Sequence, residues 1–176
     1  MKQQPSSPAK IKFDPFCSEL SRYNKTHRLV GNVSCETLVR ESYEAVCASL
    51  DSLADKRVMV DVGAGSGVLG YAWLIAHPEN KVLFLEPDKK AVAFLHLFFS
   101  TDKNTQKRSK VIGKRLEDLK VEEVLSFEPN LEKYFLAARA FSGSDSLESC
   151  YEKSNLDIPL YTFEKTEAGF KLLLKK

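Results

Sequence analysis

The chain has 176 residues, 43% of them apolar and 28% charged, with a formal net charge of +2. That length suits one domain around one substantial core, and no apolar run approaches the ~20 residues of a membrane span. So small a net charge neither announces nor excludes a nucleic-acid partner; the grouping of the charges matters more. Four scattered cysteines, Cys17, Cys35, Cys47 and Cys150, form no C-x-x-C pair. They show neither a metal-ligand spacing nor a disulfide framework, so reduced thiols in a cytoplasmic protein are expected.

Residues 1–12 are polar, contain Pro and Ser, and read as a disordered leader; 13–176 reads as a single domain whose part 13–55 is helical. Phe16 and Leu20, four apart, predict a short helix over Phe13–Tyr23. Val39, Tyr43, Val46, Leu50 and Leu53 then trace the apolar stripe of an amphipathic helix. Val58–Val62 is a continuous apolar run, as in a strand covered on both faces. Val68–Ala76 predicts a helix that stops near Pro78, and Val82–Leu85 a second strand. Asp88 is a good N-cap for a helix from Lys89 to Phe99, with Val92, Leu95 and Phe99 facing inward.

Thr101–Lys110 reads as a polar, basic linker before a short third strand, Val111–Gly113. Val121–Phe127 predicts a helix, Tyr134–Ala137 a fourth strand, and Asp145-Ser-Leu-Glu148 a capping box opening another helix. Ile158–Phe163 and Phe170–Leu174, around a turn containing Gly169, predict a C-terminal antiparallel hairpin of undetermined register. Alternating strands and helices place the chain in the α/β class, with a largely parallel sheet and helices on both faces.

The chemistry concentrates in Val58-Met-Val-Asp-Val-Gly63-Ala-Gly65-Ser-Gly67-Val-Leu-Gly70. Gly63 allows a tight turn after the strand, Gly65 lets a ligand approach the backbone, and Gly67 opens a helix whose first N–H groups carry partial positive charge. NAD and S-adenosylmethionine both use such a turn. Dinucleotide sites favour G-x-G-x-x-G; here the spacing is G-x-G-x-G with Asp61 at the strand end, which suits a cofactor without phosphates. Glu86, at the end of the second strand, can accept both hydroxyls of a ribose, which the two cofactors share. A nicotinamide-dependent oxidoreductase and a catalytically lapsed binding module therefore stay open beside a methyltransferase. His27, His77 and His96 show no ligand spacing, so no metal is expected.

Tyr23-Asn-Lys25 with Leu29, Leu38-Val-Arg40 before a helix, the glycine segment and Arg139-Ala-Phe141 follow one another in the order of the bacterial RsmG/GidB family. The chain resembles that family over residues 13–147. The resemblance implies a Rossmann-like class I methyltransferase fold. It also implies transfer of a methyl group from S-adenosylmethionine to N7 of a guanine in 16S rRNA. The implied partner is 16S rRNA or the small ribosomal subunit, and a cytoplasmic monomer without membrane or metal is expected. Asp61, Gly63, Gly65, Gly67, Val68, Glu86, Leu116, Glu117 and Arg139 would form the cofactor site, with Leu116 and Glu117 at the adenine; the resemblance assigns no catalytic residue.

The chain departs from the family's pattern in five places. Arg28-Leu29-Val30 stands for Asn-Leu-Thr, Glu41 for a histidine, Lys133-Tyr134 for Phe-Asp, and Ala138 for serine. No Leu-Lys-Gly closes a fifth strand, so either Ile158–Phe163 supplies that strand or the sheet lacks one. For the substrate, the basic residues matter. Lys103, Lys107, Arg108, Lys110, Lys114 and Arg115 lie within 13 positions, with Lys10, Lys12, Arg22, Lys25 and Arg28 before them and Lys171, Lys175 and Lys176 after. Converging on one face they would make a phosphate track; scattered, they only keep the protein in solution.

Overall fold

A computed structural model describes residues 14–49, 52–139 and 146–176. Two helices come first, α1 (Asp14–His27) and α2 (Cys35–Ala48). Then β1 (Val58–Val62), α3 (Val68–Ala76), β2 (Lys81–Leu85), α4 (Lys89–Phe99) and β3 (Ser109–Ile112) alternate. They are followed by α5 (Val121–Leu125), β4 (Tyr134–Ala138), α6 (Leu147–Ser154), β5 (Leu160–Thr166) and β6 (Gly169–Leu174). One six-stranded sheet results, in the order β3-β2-β1-β4-β5-β6, parallel throughout except for the last pair.

The continuous apolar strands behave as expected of strands covered twice, and successive side chains go to opposite layers. Met59, Val82, Phe84 and Phe135 join Phe16, Val39, Tyr43, Trp73, Phe94 and Leu95 from α1–α4 in one core. Val58, Val60, Val62, Leu83, Leu85, Tyr134 and Leu136 face the other, with Val124 of α5 and Leu147 and Cys150 of α6. Within α2's stripe Val39 and Val46 are fully buried, and Leu53, past the helix, is 2% exposed. Leu50 of that stripe lies outside the described residues, as do the leader, Phe13 and Phe141.

The sequence places most boundaries well, and the differences have local causes. Asp88 caps α4, its Oδ1 accepting from the Lys90 and Ala91 N–H groups at 3.0 and 2.9 Å. α1 continues to His27, four residues past the expected end, and in the added turn the His27 ring stacks on Tyr23 at 3.9 Å. β3 starts two residues early. Ser109 and Lys110 are polar, but this is an edge strand, where polar residues cost little. α6 begins after Ser146, whose hydroxyl accepts from the Ser149 N–H at 3.1 Å; Asp145 lies outside the described residues.

The question of the fifth strand resolves in favour of the C-terminal segment. Leu160, Tyr161 and Thr162 pair in parallel with Leu136, Ala137 and Ala138. The hairpin register follows: Thr166 opposes Gly169 across the two-residue turn Glu167-Ala168, and Gly169, opening the last strand, takes φ 111°.

Among the described residues, the central basic cluster does not stay together. Residues 103–108 precede β3 and 114–115 follow it, so the cluster divides between opposite ends of the sheet. Several members have structural partners. Arg108 Nη1 donates to the carbonyls of Leu74, His77 and Asn80 at 3.2, 3.1 and 2.9 Å, closing the C-terminal end of α3. Lys110 Nζ donates to Ser126 Oγ and the Glu123 carbonyl, and Lys114 pairs with Glu123 at 2.8 Å. Lys175 pairs with Glu164 and Lys176 with Glu152. Lys103, Lys107 and Arg115 are exposed, as are Arg22, Lys25 and Arg28 near the amino end.

Replacing Arg108 with Met should therefore destabilise the protein by about 1.5–3 kcal/mol, the worth of charged hydrogen bonds to half-buried carbonyls. Lys103→Met and Lys107→Met should stay within about 0.5 kcal/mol of the parent. Urea unfolding of the three variants checks the contrast, and equal losses would contradict it.

Candidate cofactor site at the carboxyl ends of the strands

From β1 the chain turns one way through α3 to β2, while β4 lies on the other side of β1. Strand order reverses between β1 and β4, and in open α/β sheets the crevice outside the carboxyl ends at such a point is where ligands bind. The glycine turn leaves β1 there, Glu86 follows β2, Arg139 follows β4, and the Leu116–Asp118 turn follows β3.

The turn is built from below by backbone and carboxylates. Gly63 and Ala64 N–H both donate to the Leu85 carbonyl, at 2.9 and 3.1 Å, and Gly67 N–H donates to Ala64 O at 2.7 Å. Gly63, Gly65 and Gly67 have φ of 64°, 54° and 77°, left-handed values that side chains rarely adopt. Glu86, 7% exposed, accepts from Gly65 N–H through Oε2 at 2.7 Å and from Asp88 N–H through Oε1 at 2.8 Å. Each oxygen retains acceptor capacity, since a carboxylate has about four lone-pair sites. Among the described residues, a Cβ built on Gly65 would meet only the Gly63 carbonyl, at 4.0 Å, which leaves open space above this residue.

Asp61 plays a different part from Glu86. It is 1% exposed, on the α3 side of the sheet, and its Oδ2 accepts from Gly70 N–H at 2.9 Å. Gly67, as N-cap of α3, has no side chain to satisfy the first turn, so the preceding strand supplies the acceptor. Burial pushes the Asp61 carboxyl up to about 7; the Gly70 hydrogen bond opposes this, the Glu86 charge adds to it, and the Arg139 charge again opposes it. Gly70 itself went unassigned in the sequence. A Cβ there would fall 2.3 Å from the Phe84 ring and 2.8 Å from Val82. The helix can lie on β2 only because this residue has no side chain. Its spacing from Gly67, one turn on along the same helix, was the available signal.

Three other expected site residues divide by atom. Val68 (4% exposed) and Leu116 (3%) turn their side chains into opposite cores, so a ligand could reach either one only through its backbone. Glu117 is half-buried, 3.9 Å from Arg115 Nη1. Arg139 is held on three sides: Nη2 donates to Glu41 Oε2 at 2.7 Å, Nε to Ser42 Oγ at 3.0 Å, and the guanidinium lies 4.6 Å from the Phe163 ring centroid. Burial pulls its pKa down while the charges of Glu41 and Asp61 hold it up. Glu41 is one of the departures noted above. It supplies the counter-charge, a partner that sequence spacing could not show, because 98 positions separate the two.

Residues 10–157 match the family described as GidB, rRNA small subunit methyltransferase G. The chain belongs to this family. Among relatives, the ribosomal RNA small subunit methyltransferase G of Helicobacter pylori (strain ATCC 700392 / 26695) is 28% identical over 148 residues, covering 84% of this chain and 77% of the relative. That of Helicobacter acinonychis (strain Sheeba) is 26% identical over the same shares. Among solved structures, a putative RNA methyltransferase from Pyrococcus horikoshii superposes with a TM-score of 0.51 at 20% identity, over 69% of this chain and 58% of that one. A methyltransferase from Geobacter sulfurreducens gives 0.52 at 14% identity, over 86% and 71%. These likenesses establish the class I methyltransferase fold. The GidB family is one of S-adenosylmethionine-dependent rRNA methyltransferases, and membership favours neither the oxidoreductase nor the lapsed module.

Two measurements follow for this GidB-family site. The folded-state pKa of Asp61 lies above its ordinary 3.8, so the protonated carboxyl favours the fold. That contribution is complete below about pH 4 and is lost as pH rises through about 7, amounting to about 2–4 kcal/mol. Asp61→Asn keeps an acceptor for Gly70 N–H and should flatten the fall in stability between pH 4 and 8; a slope identical to the parent's would contradict the assignment. Glu41→Gln, which strands a half-buried guanidinium, should cost about 1–3 kcal/mol. In a double-mutant cycle with Arg139→Met the two losses should fall short of additive, as for groups in contact.

Proposed function

We propose that this protein transfers the methyl group of S-adenosylmethionine to N7 of a guanine in small-subunit rRNA, through the site at the β1/β4 switch point. The observation that carries the reading is the glycine turn. It has open space above Gly65, and a buried carboxylate from the neighbouring strand fixes its backbone from beneath. When bound, S-adenosylmethionine supplies an electrophilic methyl group on a positively charged sulfur.

The chain's own residues bind and orient. Gly65 leaves room for close approach to the backbone, and Glu86 has lone pairs remaining for two ribose hydroxyls. The backbone of Leu116 and the carboxylate of Glu117 lie at the end of β3, where they would meet an adenine. Arg139, locked by Glu41 and Ser42, forms a fixed wall beside β4. Guanine N7 has an in-plane lone pair and carries no proton, so no side chain has to act as general base. Alignment of the two reacting centres carries the rate, and a rigid, carboxylate-braced turn supplies it.

The site end also offers cations. Tyr23 Oη donates to the Lys90 carbonyl at 3.2 Å, which sets the end of α1, with exposed Lys25 and Arg28, beside exposed Lys89 and Lys90 at the start of α4. This smaller group is suited to phosphates approaching from the catalytic side.

Calorimetry with S-adenosylhomocysteine should give one site per chain. Gly65→Val, which puts a branched side chain into the open space at φ 54°, should weaken binding at least about 100-fold, a loss of about 2.7 kcal/mol. Unchanged affinity would overturn the site. Mapping N7-methylguanine in 16S rRNA with and without the protein decides the substrate, and no change in any guanine would overturn the rRNA reading.

A further inference from the structure

Cys17, on α1, and Cys35, the first residue of α2, place their sulfurs 2.7 Å apart across 18 positions of chain. Both are buried, at 3% and 5% exposure. That separation is well inside ordinary nonbonded contact, and a disulfide bond needs about 2.05 Å, so the two sulfurs are already close to bonding distance. We infer that Cys17 and Cys35 are a redox-modifiable pair, converting between dithiol and disulfide and, when oxidised, stapling α1 to α2. The scattered spacing of the four cysteines hid this, because the pairing is made by the packing of the two helices.

The pair sits where a staple would have effect. Phe16, its neighbour, stacks on Tyr71 of α3 at 4.2 Å and meets Phe98 of α4 edge-on at 5.0 Å. The other end of the link opens α2, whose Glu41 and Ser42 hold Arg139. The two remaining cysteines are placed differently. Cys47 is half-buried late in α2, and Cys150 lies in the opposite core layer. The Cys17 contact, together with burial, holds the Cys35 thiol in its protonated form, so exchange proceeds when α1 lifts and exposes the sulfurs.

The reaction is exchange with a small-molecule disulfide such as oxidised glutathione. One cysteine thiolate attacks a glutathione sulfur, breaking that S–S bond and releasing one glutathione thiolate. The second cysteine thiolate then attacks the protein sulfur of the mixed disulfide. The Cys17–Cys35 bond forms, the second glutathione leaves, and the two cysteine protons end on the two glutathione thiols. Two electrons pass from protein to glutathione, and excess thiol reverses both steps.

The test equilibrates the folded, full-length chain in glutathione buffers from fully reduced to fully oxidised, quenches with acid, alkylates free thiols and maps the peptides. The expected product has lost two hydrogens, contains a peptide joining Cys17 to Cys35, and leaves Cys150 alkylated. Closing a loop of this length should raise its Tm by about 5–10 °C. Cys17→Ser and Cys35→Ser should each abolish the cross-link, while Cys150→Ser should leave it in place. Wild-type mapping alone decides the matter should a variant fail to fold. The proposal is overturned if all four thiols remain alkylatable in the most oxidising buffer, if the cross-link involves Cys47 or Cys150, or if the bridged form has the lower Tm.

Discussion

Two carboxylates from adjacent strand ends hold the glycine turn in shape, and the site depends on them. Asp61 reaches forward to Gly70 N–H and Glu86 reaches sideways to Gly65 N–H, while Leu85 O takes the protons of Gly63 and Ala64. Three glycines in left-handed conformations are costly to hold, because glycine loses the most conformational freedom on folding. Each bond replaces that freedom with a fixed direction. The turn can hold an open space above Gly65 because nothing beneath it is left to move.

The rest of the fold makes those carboxylates available. The Asp61 side chain is on the α3 face because strand residues alternate, and that face is covered by α1–α4. Gly70 lets α3 settle against Phe84 and Val82, which brings the helix terminus within reach of Asp61. A bulkier residue would lift the helix and lengthen the bond, so close packing and polar satisfaction are one requirement here. Arg139 is fixed on a different principle. Its partners come from α2 and β5, elements more than twenty residues from it on either side in sequence, so the wall beside β4 exists only once the whole sheet has formed.

Local rules made much of this legible. Apolar runs, glycine spacing, Asp88 as a cap and the order of helices and strands are properties of neighbouring residues, and the sheet follows from them. The pattern also marked Gly63, Gly65, Gly67, Asp61 and Glu86 as a group, and they do converge. It could not show that Asp61 lies beneath the turn with Gly70, or that Val68 and Leu116 present backbone alone, because burial is decided by the layer above each strand. Glu41 with Arg139 and Cys17 with Cys35 are contacts between separate elements. The basic cluster misled for the same reason: six cations within 13 positions are divided by a strand, and Arg108 serves the end of α3.

The charges at the switch point bear on what the crevice can hold. Glu41 and Asp61 act on Arg139 and Glu86 acts on Asp61, and the arginine is already committed to Glu41. Glu86 raises the pKa of Asp61, the sign of mutual repulsion between two carboxylates. A pyrophosphate brought to this turn would meet that excess of negative charge in a half-buried setting, where it is poorly screened. A positively charged sulfur would relieve it and favour the ionised form of Asp61. In the proposed reaction an anionic substrate would be favoured at the flank, by the end of α1 and the start of α4, where Lys25, Arg28, Lys89 and Lys90 are exposed. Charge therefore sorts the two ligands of the proposed reaction: the cation toward the turn, the polyanion toward its rim.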